Sequence, residues 1–458
     1  MKRAQAFTAA LVVALVVGGA VYVDREVGPR ALSGGSAART ASGEWFCPHG
    51  GGNVDWEVEL EVANPGAQPA TIRVSPMGEG RPVPSETLMV EPGSLLRVPV
   101  PADGREHATA VEWFDQWVAV GWVAHAGGNE GGVAAEPCSP AAGERWFVPD
   151  GTSETKENKD HVVVMNPFAR DAVFSVALLS DRRVPVRLGE LTDVVLRPHR
   201  SFVVRLNQVV LGERTVSALI EVSVGRVVAG SLGVSTAGGI RSAIGYLDQP
   251  PSTLVFPGGA DAGRAELVVM SAGVERVGLV GELLEREVEQ PYAGLADSAP
   301  PAESGRTYPT TTEGPTSVLF TADGSGVAAT RRTFGVVSDQ ASTNGGEPAS
   351  AWLVLPAVSG SPSNPGLVLA NPGAEPVEVT LSYLAPATAS PVTLTIPPMR
   401  TATAPKAFVE AAPAGAVLAV ASSGTFVPAA ASYSRGREGF ATYAVALGVA
   451  IPERWVPT

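Results

Sequence analysis

LEVANPGAQPATIRV, residues 60–74, reads as a strand, a tight turn and a second strand. Proline cannot donate to a β-ladder, so it ends the first strand, and Asn-Pro-Gly begins a turn. The stretch returns as VVVMNPFARDAVFSV at 162–176 and LVLANPGAEPVEVTL at 367–381. A weaker copy, LVVMSAGVERVGLVG at 267–281, has Ser-Ala in place of Asn-Pro. The copies start at 60, 162, 267 and 367, a period of about a hundred residues, the size of one domain.

Working outward, each copy is preceded by an apolar strand ending in proline: WFCP at 45–48, WFVP at 146–149, LVFP at 254–257 and LVLP at 353–356. A fragment of a fifth opening, ERWVP, stands at 453–457. Repeat two is the cleanest, with candidate strands at 146–148, 161–165, 172–179, 193–196, 201–206, 217–223 and 226–232. Seven short strands in about ninety residues fit an immunoglobulin-like β-sandwich. The expected fold is therefore all-β, in four tandem sandwiches at 44–142, 143–250, 251–350 and 351–458. The alternative is a propeller-like closed ring of two blades per hundred residues, completed by the returning ERWVP. Residues 286–315, rich in Glu, Pro, Ser, Thr and Gly, read as a long loop in repeat three. The polar segment 337–350 reads as the linker to repeat four, and 440–449 as one further apolar strand after it.

The chain can fill such cores: of 458 residues, 45% are hydrophobic and only 17% charged. Its 51 Gly and 39 Pro punctuate short Val-rich runs, which is all-β composition. A formal charge of −13 argues against nucleic acid as a partner. At the N-terminus Lys2 and Arg3 precede an apolar run at 6–23. Eighteen helical residues span about 27 Å, near the thickness of a bilayer core. Residues 1–23 are thus expected to be a signal anchor, with a cleaved signal peptide as the alternative, and 24–43 a flexible stalk. Positive charge before the run places the repeats outside the plasma membrane, the N-terminal helix being the chain's membrane contact.

In that compartment thiols oxidise. Cys47 and Cys138 are the only cysteines, one in the opening of repeat one and one beyond its last recognised strand. They are expected to form a disulfide tying the domain's two ends together.

These features together resemble an actinobacterial secreted-protein family without assigned activity, domain of unknown function 5719. The resemblance rests on the N-terminal anchor, the Cys-bearing WFCP opening, the hundred-residue β repeats with Asn-Pro turns and the Arg/Ala/Val-rich composition. It extends over essentially the whole chain and implies no catalytic or binding residues. Genes of that family often lie near envelope glycosyltransferase genes, which implies a role at the cell envelope.

Chemistry is sparse. His49-Gly50-Gly51-Gly52 matches an esterase oxyanion-hole motif on paper, but no Gly-x-Ser-x-Gly elbow exists; GVSTA at 233–237 fails at its last position. The five histidines show no metal-ligand spacing. Glu282, Glu285, Glu287 and Glu289 read as a solvated acidic stretch. Catalytic residues, metal and cofactor are accordingly expected to be absent.

The aromatics say more, since five of the eight Trp lie in repeat one: Trp45, Trp56, Trp113, Trp117 and Trp122. With Asp115-Gln116 taken as a hairpin turn, alternation sends Val111, Trp113 and Trp122 inward and Glu112 and Phe114 outward. Phe114 and Trp117 then flank one face and are the candidates for an exposed aromatic platform. The expected function is non-enzymatic binding or scaffolding at the envelope, with envelope glycan or an envelope protein as partner. The alternative is an extracytoplasmic hydrolase of envelope glycan.

Overall fold

Each repeat is built on a common set of eight strands rather than seven. In the computed structural model, repeat one runs β1 (Ala41–Cys47), β2 (Trp56–Asn64), β3 (Ala70–Met77), β4 (Glu86–Val90), β5 (Ser94–Val100), β6 (Ala108–Asp115), β7 (Ala119–Ala126) and β8 (Gly132–Pro137). Two antiparallel four-stranded sheets result, in the orders β1-β6-β3-β4 and β5-β2-β7-β8. The same two orders recur in every repeat, with a further short strand beside the opening strand in repeats two and four, so the chain is four tandem immunoglobulin-like sandwiches. The sheets are open, and the propeller alternative is not what the chain makes. The structure describes residues 41–457 apart from 52–55, 81–82, 102–107, 128–130, 156–157, 182–183, 236–238, 259–263, 286–288, 296–297, 312–315, 335–339, 356–365, 385–389, 412–414 and 436–440. The expected anchor and most of the stalk fall outside these. Among the described residues no helix is long and apolar enough to cross a membrane.

Alternation builds each sandwich. Along β2, Trp56, Val58, Leu60 and Val62 are buried between the sheets. Toward the strand ends both faces are buried, because a neighbouring repeat covers the outer one. Val163, on the second strand of repeat two (Lys159–Asn166), lies against Gly50 of repeat one in this way.

The Asn of the Asn-Pro turn does more than begin it. Asn166 is fully buried, and its amide donates to the carbonyls of Arg170, Leu196 and Arg197, while its Oδ1 accepts from the Phe168 N–H. Asn371 makes the same set with Glu375, Ile396, Pro397 and Gly373. Asn64 does so with Gln68, Val90 and Gly66. One side chain thus staples the turn to the end of the fourth strand. The Trp of the opening strand is a second staple. Trp45, Trp146 and Trp352 each donate Nε1–H at 2.8 Å to a carbonyl across the sandwich, on Val118, Val227 and Phe426.

The sandwiches share cores in sequence. Phe46, Met77, Ala108 and Ala110 of repeat one join the core of repeat two. Phe147, Leu179, Leu219 and Tyr246 of repeat two join that of repeat three. Val255 and Leu284 pass into repeat four. Leu353, Leu355, Val449 and Ile451 of repeat four pack with the core of repeat one. The eighth strands meet in the same cyclic order. β8 lies against those of repeats two (Gly239–Ile244) and four (Ala441–Leu447), and the eighth strand of repeat three (Gln340–Asn344) lies against the same two. Gly132 permits the closest approach, since a Cβ there would stand 2.6 Å from the Ile240 nitrogen.

Several expectations are corrected. Residues 41–43 belong to β1 and not to the stalk. The expected loop 286–315 contains Glu289–Pro291 and Ser304–Thr311, the fourth and fifth strands of repeat three. Pro309 fits there because Ser304–Thr311 is an edge strand. The expected linker 337–350 contains the eighth strand of repeat three. The extra strand read at 440–449 is the eighth strand of repeat four (Ala441–Leu447).

Cys47, ending β1, and Cys138, directly after β8, form a disulfide with Cα atoms 4.6 Å apart. It links the two sheets at the ends of repeat one, beside a backbone bridge between Phe46 and Ser139.

Candidate binding groove

The residues facing outward from β1 and β6 form one wall of a groove between repeats one and two. Glu44 stands opposite Glu112 and Ser42 opposite Phe114 in the β1–β6 register. Both Nε and Nη2 of Arg73, on β3, donate to Glu112. Residues 140–142 supply the floor, and repeat two supplies Phe168 and Arg226. Phe168 is placed by the Asn166 staple. Arg226 follows Gly225, whose φ of 77° is the left-handed turn conformation that glycine adopts without cost. The Arg226 guanidinium lies 4.8 Å above the Phe168 ring, and Phe168 meets Phe46 edge to face at 6.1 Å. The enclosed volume is about 380 Å³.

The groove therefore combines two carboxylates, one guanidinium and three phenyl rings. Partial burial raises the pKa of Glu44, and the neighbouring Glu112 raises it further, against the opposing pull of Arg226 and Arg73. Such a site can stack an apolar or sugar face and offer charged hydrogen bonds at its rim.

Phe114 is half-buried and lines this groove. Trp117 does not join it: it is 4% exposed and sits in the core, edge to face with Trp45 at 6.2 Å. The platform is corrected for a definite reason. β6 and β7 belong to different sheets, so the segment after Asp115 (φ 71°) crosses the sandwich instead of turning a hairpin, and Trp117 enters the interior. Trp113 and Trp122 are buried, as alternation requires. The contributions of Glu44, Phe168 and Arg226 were not legible, because the groove arises only where two repeats pack.

His49 is buried in a loop, its Nε2 3.1 Å from Thr109 Oγ1 and its Nδ1 accepting from the Gly51 N–H. Of the acidic stretch, Glu282 lies on the third strand of repeat three, while Glu287 and the side chain of Glu289 lie outside the described residues. Among the described residues no group of three His, Cys, Asp or Glu is placed to hold a metal.

A second charged cluster is fully internal, between repeats two and three. Asp150 accepts from Arg241 Nε at 3.0 Å and also from Arg332 and Ser342. Arg241 also bonds Asp160, and Arg332 lies 3.7 Å from Glu266. Burial raises the carboxyl of Asp150, but Arg332, Arg241 and the Ser342 hydroxyl outweigh it and hold it below the usual range. For Asp160 burial prevails over Arg241, pushing it up to about 6. With its carboxylates paired to guanidiniums from both sides, this cluster joins two repeats.

The fold is that of a tandem β-sandwich repeat protein with a groove between its first two repeats. The chain belongs to a family of unknown function, DUF5719, which it matches over residues 107–335. No curated protein matches it. Among solved structures it is similar to Thermotoga maritima 1070, at 21% identity over 23% of this chain and 95% of that one, TM-score 0.21. A tetra-tandem repeat from the extending region of a large adhesion protein matches at 13% identity, covering 90% of this chain and all of that one, TM-score 0.10. Two B repeat units of the Staphylococcus aureus collagen-binding protein match at 9% identity over 82% and 93% of the two chains, TM-score 0.10.

Proposed function

We propose that the chain is a non-enzymatic, extracytoplasmic binding protein, held at the plasma membrane by residues 1–23, whose recognition site is the groove between repeats one and two. Its partner is a component of the cell envelope, glycan or protein. The observation that carries this is the convergence of Phe114, Glu44 and Arg226 from two repeats on one cleft. The Cys47–Cys138 disulfide suits an oxidising compartment.

The test is retention of the purified protein on envelope preparations. Phe114→Ala and Arg226→Ala are expected to lower retention at least tenfold with little loss of stability. Trp117→Ala, a core truncation, is expected to cost about 3–5 kcal/mol instead. Unchanged retention in both groove variants would remove the groove from the account.

The hydrolase is a second reading, favoured by one observation: Glu44 and Glu112 are cross-strand partners, about 5 Å apart at Cβ. Both stand on one wall, and Arg73 binds Glu112, whereas glycoside cleavage needs carboxyls flanking the bond. Release of reducing sugar from envelope glycan, lost in Glu44→Gln, would establish it.

A further inference from the structure

The opening strand of each sandwich lies at a sheet edge, and two of the four repeats cover that edge with their own chain. In repeat two, Tyr246 and Leu247 pair with Phe147 and Trp146, and the Asp248 N–H donates to the Arg145 carbonyl at 2.7 Å. In repeat four, Val449 and Ala450 pair with Leu353 and Trp352, and the Ile451 N–H donates to the Ala351 carbonyl at 2.9 Å. The indole staples align Trp45 with Trp146 and Trp352, so Glu44 corresponds to Arg145 and Ala351.

In repeat one the covering strand stops after a single residue. Ser139 exchanges both backbone bonds with Phe46 at 2.8 Å. Pro140 follows, and Ala141, the counterpart of Asp248 and Ile451, turns its N–H to Ser139 Oγ at 3.3 Å. The Glu44 carbonyl is left without that donor. Backbone groups of a strand alternate in direction with period two. Phe46 points its N–H and C=O outward to Ser139, so Glu44 and Ser42 point theirs outward too. β1 also reaches back to Ala41, seven residues against four in the other opening strands. Bare among the described residues, this edge at Ser42, Gly43 and Glu44 lines the groove.

We propose that the groove takes an extended polypeptide segment of a partner protein, which adds to β1 as an antiparallel strand opposite Glu44 and Ser42, starting from the position that Asp248 and Ile451 hold in repeats two and four. This rests on the groove being the recognition site and names its ligand class. Unpaired edges accept strands in this manner, with main-chain bonds giving affinity and side-chain contacts giving choice. The partner residue opposite Glu44 projects to the same face, beside Glu44 and Glu112, and is Lys or Arg. An apolar residue two positions on, opposite Ser42, packs toward Phe114.

The probe is a capped peptide Lys-Thr-Val-Thr-Val, whose lysine stands opposite Glu44 and whose third residue stands opposite Ser42. It is expected to bind the full chain saturably, at least tenfold tighter than the same peptide with aspartate. Ser42→Pro removes an outward N–H at a sheet edge, where proline is tolerated, and leaves Phe114, Phe168 and Arg226 in place. It is expected to weaken peptide binding at least tenfold with the melting temperature nearly unchanged. In the native chain the Ser42 and Glu44 amides should exchange freely and become protected on adding peptide, a measurement that needs no variant. Absence of saturable binding, equal affinity in Ser42→Pro, or amides already protected without peptide overturns strand addition. Protection without peptide would mean that the edge is filled by the chain itself or by a second copy. Envelope retention that is lost in Phe114→Ala and kept in Ser42→Pro overturns strand addition while leaving the groove as a site for another ligand, such as glycan. Retention unaffected by either variant overturns both.

Discussion

The indole of Trp455 meets that of Trp113 edge to face, with ring centroids 6.1 Å apart and planes at 90°. Trp455 belongs to the returning ERWVP segment and Trp113 to β6, so the last residues of repeat four are fixed to repeat one. The segment does this as a single 3-10 turn (Glu453–Trp455) and adds no strand.

Trp455→Ala is therefore expected to lower stability by about 1–3 kcal/mol, part of it burial and part the ring contact. A double-mutant cycle with Trp113→Leu in urea denaturation should give a coupling of about 0.5–1.5 kcal/mol. Additive losses would show that the contact does not hold the two repeats.

The Asn staples separate repeats that otherwise look alike. Asn371→Ala leaves the carbonyls of Glu375, Ile396 and Pro397 without their donor and is expected to cost about 2–4 kcal/mol. The corresponding residue in repeat three is Ser271, whose buried hydroxyl finds no partner among the described residues. Ser271→Ala should change stability by less than about 0.5 kcal/mol. Denaturant midpoints of the two variants check the contrast.

Asp150 ties repeat two to repeat three through Arg332 and Ser342. Asp150→Ala takes a shared carboxylate from two buried guanidiniums, leaving Arg241 with Asp160 and Arg332 with Glu266, and is expected to cost about 3–5 kcal/mol. Repeat two cut out as residues 143–249 loses both partners and bares Phe147, Leu179 and Leu219. Its melt is expected to fall well below that of the whole chain, despite the domain-like length of the repeat.

Glu61, on β2, is fully buried with Oε1 3.0 Å from Arg97 and Oε2 without a hydrogen-bond partner among the described residues. Burial pushes its carboxyl up to about 7, against the opposing charge of Arg97. The folded state thus holds this proton more tightly than the unfolded chain does. The resulting stability is fully present below about pH 4.5 and lost as pH rises through about 7. Glu61→Gln, which mimics the protonated form, should match the native chain at pH 4 and exceed it at pH 8 by up to about 3 kcal/mol. A difference that does not vary with pH would refute this.

What was legible in the sequence follows from what a residue's neighbours along the chain determine. Alternation placed Val111, Trp113 and Trp122 inward, and Asn-Pro marked the turns. That the Asn amide would reach the carbonyl of Leu196, thirty residues on, is not a local property. The eighth strands of repeats two and three were missed for a related reason. QASTN in repeat three and GIRSAI in repeat two are too polar to read as core strands. They are buried because the neighbouring repeat supplies the matching charges, as Asp150 does for Ser342. Trp117 was misplaced because a crossing between sheets and a hairpin within one begin alike, and the groove required knowing which repeats touch.

The cyclic meeting of the eighth strands fixes the copy number. In a row of sandwiches an end unit keeps a free face, so units can be gained or lost by duplication. Here each repeat lends one flank to its predecessor and one to its successor, and the fourth returns to the first. A fifth copy would have no flank to receive it, and losing one would leave two that were never shaped to meet. Insertions compatible with this chain should therefore lengthen loops and not add whole units.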